Sequence, residues 1–134
     1  MMIQTLQKRR SGFTLVEIMI VVAIIALLAA IAVPNFLRAR KRSQATRVLE
    51  DLRMIDAACD QYAIETNKLS GNAIGWADLK NYIKTGTLLY SGTGGDMFNN
   101  PYGPWTVDSV PKVSTATYNL LSDVTDDTFW SPYK

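Results

Sequence analysis

The chain has 134 residues, of which 48% are apolar and 19% charged, with a formal net charge of +2. That composition argues against disorder and gives about one domain's worth of chain, while a charge so near balance leaves no global footprint for nucleic acid. There is no histidine and a single cysteine, Cys59, so an intrachain disulfide, a Cys-rich zinc site and catalysis of the Ser-His-Asp, Cys-His or HExxH kind are excluded.

The charges are unevenly placed. Lys8, Arg9 and Arg10 form one basic cluster, and Arg38, Arg40, Lys41, Arg42 and Arg47 form a second with no acid among them. From Glu50 onward the balance turns acidic. Between the clusters, Ile18 to Leu37 carries no charge and is apolar all round. About twenty helical residues rise about 30 Å, which matches the hydrocarbon thickness of a bilayer, and a soluble amphipathic helix would show a polar face here. Three readings fit: a plain transmembrane anchor, a secretory signal peptide cut after the small residues Ala30-Ile31-Ala32, and an anchor retained in the mature protein. Basic flanks on both sides leave the orientation open. Glu17 is more informative. A carboxylate at membrane depth costs about 2.5–3.5 kcal/mol, somewhat less near the interface, and an ionised one there needs a cation as partner.

Lys8-Arg9-Arg10-Ser11-Gly12-Phe13-Thr14-Leu15-Val16-Glu17, followed by the apolar run and Pro34, resembles the processing signal of type IV pilins and type II secretion pseudopilins. The resemblance is strong over residues 8–66 and weaker beyond. It implies that a prepilin peptidase cuts between Gly12 and Phe13, that residues 1–12 are lost as a leader, and that the new N-terminal Phe13 is N-methylated. It implies a single-pass protein of the bacterial inner membrane with its headgroup in the periplasm. Extraction by an inner-membrane assembly platform, together with other pilin-like subunits, would place it in a helical homo-oligomeric filament. Cleavage would give Phe13 an α-amine, the cation that Glu17 of a neighbouring subunit lacks. In a low-dielectric medium such a pair is strong and an unpaired charge costly.

Beyond Pro34 the pattern changes. Ala45, Val48, Leu52, Ile55, Cys59 and Tyr62 recur at steps of three and four, one apolar stripe of an amphipathic helix that is expected to end near Asn67. The helix would therefore divide at about residue 37, with 13–37 as the membrane or filament-core half and 38–67 as the amphipathic half. Pro34 cannot donate to the carbonyl of Ala30, which weakens one turn. It reads either as a simple kink or, by the resemblance, as a segment that unwinds on assembly. The basic residues at 38–47 suit anionic lipid head groups, or acids of neighbouring subunits. Cys59 reads as a small buried hydrophobe.

Residues 68–134 are expected to form an α+β headgroup, a small antiparallel sheet covering the helix stripe. Gly75 to Ile83 reads as a short amphipathic helix with Trp76, Leu79, Tyr82 and Ile83 inward. Gly92-Thr93-Gly94-Gly95 reads as a structural turn and lacks the GK[ST] of a phosphate loop. Trp105–Val110 and Thr115–Leu121 carry strand composition, with Val110 to Ser114 as the hairpin loop between them. Trp105, Tyr118 and Trp130 read as packing residues.

Asn99-Asn100-Pro101-Tyr102-Gly103-Pro104-Trp105 resembles in part the turn of major pseudopilins, and Tyr118–Ser122 resembles the strand that follows it. In that subfamily a calcium ion staples the next loop, which by resemblance makes Ser122, Asp123, Asp126 and Asp127 the calcium candidates. With the missing disulfide, this leans toward a pseudopilus of type II protein secretion. The alternative is a type IV pilus for adhesion, twitching motility or DNA uptake. No pair of acids has a spacing tied to catalysis, and no enzymatic activity is expected.

Overall fold

The computed structural model describes residues 11–134. Residues 1–10 of the expected leader, the first basic cluster Lys8 to Arg10 included, lie outside the described residues. The chain divides into two units, one ending at Leu37 and one spanning Arg38–Lys134. A single helix, α1 (Leu15–Thr66, 52 residues), contributes to both.

In the first unit the helical residues, apart from Glu17 and Asn35, are apolar without periodicity, and every one of them is exposed. The segment is long and apolar enough to cross a membrane. Helicity suits it there, because a helix satisfies its own backbone groups where no water can. Pro34 lies inside α1, and helical structure continues on both sides of it.

In the second unit α1 becomes amphipathic. Ala45, Val48, Leu52, Ile55, Cys59 and Tyr62 are all buried, as their spacing predicts, and Leu49 and Ala58 widen the stripe. Asn67 takes a left-handed conformation (φ 51°), which ends the helix, as such a residue after the last turn commonly does. The Thr66 hydroxyl also donates to the carbonyl of Tyr62 at 2.6 Å.

The covering layer is built from short pieces. Strand β1 (Ala73–Ile74) leads to α2 (Trp76–Leu79), a 3-10 turn (Lys80–Tyr82) and α3 (Leu88–Ser91). Strand β2 (Trp105–Thr106), α4 (Thr115–Leu121) and α5 (Asp127–Trp130) follow. The sheet is two-stranded and antiparallel, with Ala73 opposite Thr106 and Ile74 opposite Trp105. The fold is α+β, as expected, but its strands are placed differently from the sequence reading. Thr115–Leu121 is a helix, not a strand, and so the expected hairpin through Val110–Ser114 does not form. Its β-branched composition favours a strand, yet its burial does not alternate. Thr117 and Leu121 are fully buried four residues apart with Tyr118 half-buried beside them, which is a helical face. The partner of Trp105–Thr106 is instead the segment just after α1, and Asp108 (φ 61°) lies two residues beyond the strand.

Leu79, Ile83, Leu89, Tyr102, Val107, Leu121, Trp130 and Tyr133 close over the α1 stripe. The indoles of Trp76 and Trp105 pack with centroids 5.6 Å apart, and Gly94 passes directly over them. A Cβ on Gly94 would meet Trp105 at 2.8 Å and Trp76 at 2.9 Å, and its φ of 83° already favours glycine. The glycine-rich turn is thus fixed by what lies beneath it.

Candidate functional site

The head of α1 is built by two side chains three residues apart. The Glu17 carboxylate accepts the backbone N–H of Thr14 at 2.8 Å, and the Thr14 hydroxyl accepts the N–H of Glu17 at 3.2 Å. This is a capping box, which satisfies two of the helix's orphan donors reciprocally. A negative charge in the first turn also favours the helix dipole. Sequence reasoning singled out Glu17 and missed its partner, although Thr-x-x-Glu before an apolar run is the signal of this motif. The bond uses one oxygen of Glu17, and a carboxylate has room for about four acceptor contacts. Ser11, Gly12, Phe13 and Thr14 are all exposed, and nothing lies within 4 Å of where a Gly12 side chain would begin. The peptide between Gly12 and Phe13 is therefore solvent-exposed.

Two acids on α1 receive hydroxyls from the covering layer. Tyr102 donates to Asp51 at 3.0 Å and Tyr133 to Asp56 at 3.3 Å. Burial pushes the Asp51 carboxyl above its ordinary range, while the Tyr102 hydrogen bond and the Arg47 charge pull it back. Burial likewise raises both tyrosines, so their hydroxyls stay protonated as donors. Tyr102→Phe should therefore cost about 1.5–3 kcal/mol, since a hydrogen bond to a charged group is lost. The bond serves the ionised form, so the loss should be full above the Asp51 pKa and shrink as acid protonates Asp51. Thermal melts of both forms between neutral and acid pH check this. Cys59 is buried, and burial first, then Asp56 and Asp60, push its thiol up to about 11. It is an inert packing residue.

The oxygen-rich residues after α4 do not assemble into a calcium site. Asp123 pairs with Lys41 at 2.8 Å, and Asp127 pairs with Lys134 at 2.5 Å. Those hydrogen bonds from lysine are the leading reason both carboxyls are lowered. Asp126 caps α5 by accepting the N–H of Phe129 at 2.9 Å, and the Ser122 hydroxyl donates to the carbonyl of Asn119 at 3.0 Å. Among the described residues no three acidic or sulfur side chains gather as metal ligands. The arrangement already supplies its own cations and does not fit Ca²⁺, which takes six to eight oxygens. Adding calcium or a chelator should leave the melting midpoint of the full chain unchanged, as differential scanning fluorimetry would show.

The aromatic segment after this loop closes the unit instead. Trp130 is fully buried, and its indole N–H donates to Thr125 at 3.0 Å. The backbone N–H of Val113 donates to the Tyr133 carbonyl at 2.7 Å. The expected turn at Asn99–Trp105 is also fastened. Asp96 accepts the N–H groups of Phe98 and Asn100, each at 2.9 Å, and the hydroxyl of buried Thr117.

Fold and site together define a class: a capped apolar helix able to cross a membrane, whose second half carries a small α+β headgroup. Comparison with known proteins narrows it. Residues 7–33 match the prokaryotic N-terminal methylation motif. The chain is 40% identical over 79 residues to the type IV major pilin protein PilA of Myxococcus xanthus, covering 58% of this chain and 36% of that one. It is 43% identical over 65 residues to the type IV wide pilus major component PilA4 of Thermus thermophilus, covering 48% and 50%. It is 36% identical over 64 residues to the type II secretion system core protein G of Aeromonas hydrophila, covering 47% and 45%. The chain thus spans half or less of the length of these relatives. No solved structure matches it significantly. By its methylation motif and these relatives, the chain is similar over its N-terminal half to type IV pilins and to a type II secretion core protein.

Proposed function

We propose that this chain is a structural subunit, processed at Gly12–Phe13 and polymerised through α1 into a pilus-like filament. The observation that carries the reading is the apolar half of α1, wholly unburied within its own chain and headed by an exposed Gly12-Phe13 and by Glu17. Such a surface is stable in lipid or against copies of itself, and not in water. A prepilin peptidase would remove residues 1–12, and methylation would follow on the Phe13 nitrogen. The Phe13 amine, a cation held at membrane depth, would then attract the free oxygen of Glu17 on an adjoining subunit. Pairing removes two unsatisfied charges at once, which selects subunits in one axial register. No catalytic step belongs to the chain itself in this account. Residues 1–12, 13–37, 38–67 and 68–134 would act as leader, membrane and core segment, amphipathic support and headgroup. Pro34 would mark where the core segment can yield during assembly.

The pseudopilus reading rests on the Asn99–Trp105 turn, on the absence of a second cysteine, and on likeness to a type II secretion core protein G. A surface pilus is the second reading, favoured by likeness to the Myxococcus and Thermus pilins. Shearing intact cells separates the two. Polymer confined to the envelope supports the pseudopilus, and polymer in the sheared fraction supports the surface pilus. Monomer alone in both fractions would overturn the filament itself.

A further inference from the structure

Four basic residues, Arg38, Arg40, Lys41 and Arg42, directly follow the uncharged run Ile18 to Leu37, and the next acid along α1 is Glu50. Lys41 is spent on Asp123 at 2.8 Å, and the other ion pair among the described residues is Lys134–Asp127. Arg38, Arg40 and Arg42 are exposed and enter neither pair. Arg42 borders the hollow lined by Asp123 and Asp126, yet it pairs with neither acid.

The placement of the three arginines around the helix decides what kind of partner fits them. At about 100° per residue Arg38 and Arg42 lie about 40° apart, and Arg40 lies on the opposite side of α1. One protein surface does not reach all three, whereas a lipid layer surrounds a helix on every side. From Arg38 to Arg42 the helix rises about 6 Å, which fits inside the polar layer of about 5–8 Å that borders the hydrocarbon core. Arg47 lies about 14 Å beyond Arg38 and outside that layer. A cation at the depth of Arg38 to Arg42 meets lipid phosphates.

We propose that Arg38, Arg40 and Arg42 form a collar that gathers anionic phospholipids around α1, each guanidinium on the phosphate of a lipid head group. The proposal rests on the membrane reading of the apolar half of α1. It selects among lipids by net charge. The phosphate of phosphatidylglycerol has no cation of its own and fits the collar, whereas that of phosphatidylcholine is already balanced by its ammonium. The same attraction holds the chain in an anionic bilayer and opposes its withdrawal.

The full chain in nanodiscs of mixed phosphatidylcholine and phosphatidylglycerol, with its retained lipids counted by native mass spectrometry, tests this. The wild-type chain should retain phosphatidylglycerol beyond its share of the mixture. Arg38→Gln, Arg40→Gln and Arg42→Gln should each lower the relative affinity for that lipid about fivefold, equivalent to about 1 kcal/mol, and together should abolish the preference. Arg47→Gln should leave it in place. So should Arg38→Lys, Arg40→Lys and Arg42→Lys together, which keep the charges. A preference indifferent to the three glutamine changes, or lost equally with Arg47→Gln, overturns the collar and leaves the membrane reading intact. An equal loss in the triple lysine variant reports a disturbed helix rather than missing charge, and overturns the collar too. Inorganic phosphate that strips the preference at an ionic strength where chloride does not overturns it in favour of a free-phosphate site. A wild-type chain that does not enter the nanodiscs overturns the membrane reading, and the collar with it.

Discussion

Glu17→Gln should abolish assembly while leaving the helix, the membrane insertion and the headgroup in place. The capping box makes this substitution discriminating. Glutamine at the third helical position still accepts the Thr14 N–H, so the local structure at 2.8 Å can persist. What disappears is the charge. The Phe13 amine of a neighbour would then sit at membrane depth with no counter-ion, and breaking such a pair from one side costs about 3–5 kcal/mol. That corresponds to a loss of about a hundredfold or more in subunit association. Thr14→Ala is the complementary change. It removes the cap and keeps the charge, so it should cost about 1 kcal/mol of local helix stability and leave assembly largely intact. Immunoblots of cross-linked envelopes read both variants. Equal loss in the two would mean that Glu17 acts through the cap alone.

Trp130→Ala should be the most damaging single change in the headgroup. Its indole is fully buried against the α1 stripe, packs edge-on against Phe129 at 5.0 Å and donates to Thr125. Truncating a large aromatic in such a place costs about 3–5 kcal/mol, which lowers the melting midpoint of a unit this size by at least about 10 °C. If the variant does not accumulate, Trp130→Phe still reads the effect. It keeps a ring and loses the N–H bond and part of the packing, for about 1–2 kcal/mol. Circular dichroism melts of the full chain in detergent measure either. A wild-type midpoint for Trp130→Phe, with Trp130→Ala also unchanged, would show that the aromatic segment does not close the unit.

Much of this arrangement is legible in the amino-acid order, and the reasons differ along the chain. The α1 stripe reads directly because Ala45 to Tyr62 repeats with helical period over five turns. Glu17 stands out because a charge at the mouth of an apolar run is costly and needs a cause. The Thr14 half of the capping box is equally visible in the order of residues, but attention to the charge hides it. The covering layer is harder. Thr115–Leu121 has the composition of a strand, and only the burial of Thr117 and Leu121 makes it a helix, so tertiary packing overrides a weak local preference. Strands of two residues, such as Ala73–Ile74 and Trp105–Thr106, are too short for any alternation to show. The acidic loop misleads for a different reason. Asp123 and Asp127 look like cation ligands in the sequence, but the lysines that neutralise them come from residues 82 positions before and 7 positions after. Proximity in the chain reveals the acids and conceals the distant Lys41.

The central claim is that the Gly12–Phe13 bond is cut and that α1 then works with a free terminus beside Glu17. N-terminal sequencing with intact-mass analysis of the protein from cell envelopes tests it most directly. The account predicts a chain beginning at methylated Phe13, with α1 complete. A chain beginning at Val33, after the Ala30-Ile31-Ala32 stretch, or one that keeps its leader uncut would contradict it, because neither presents the Phe13 amine to which Glu17 is matched.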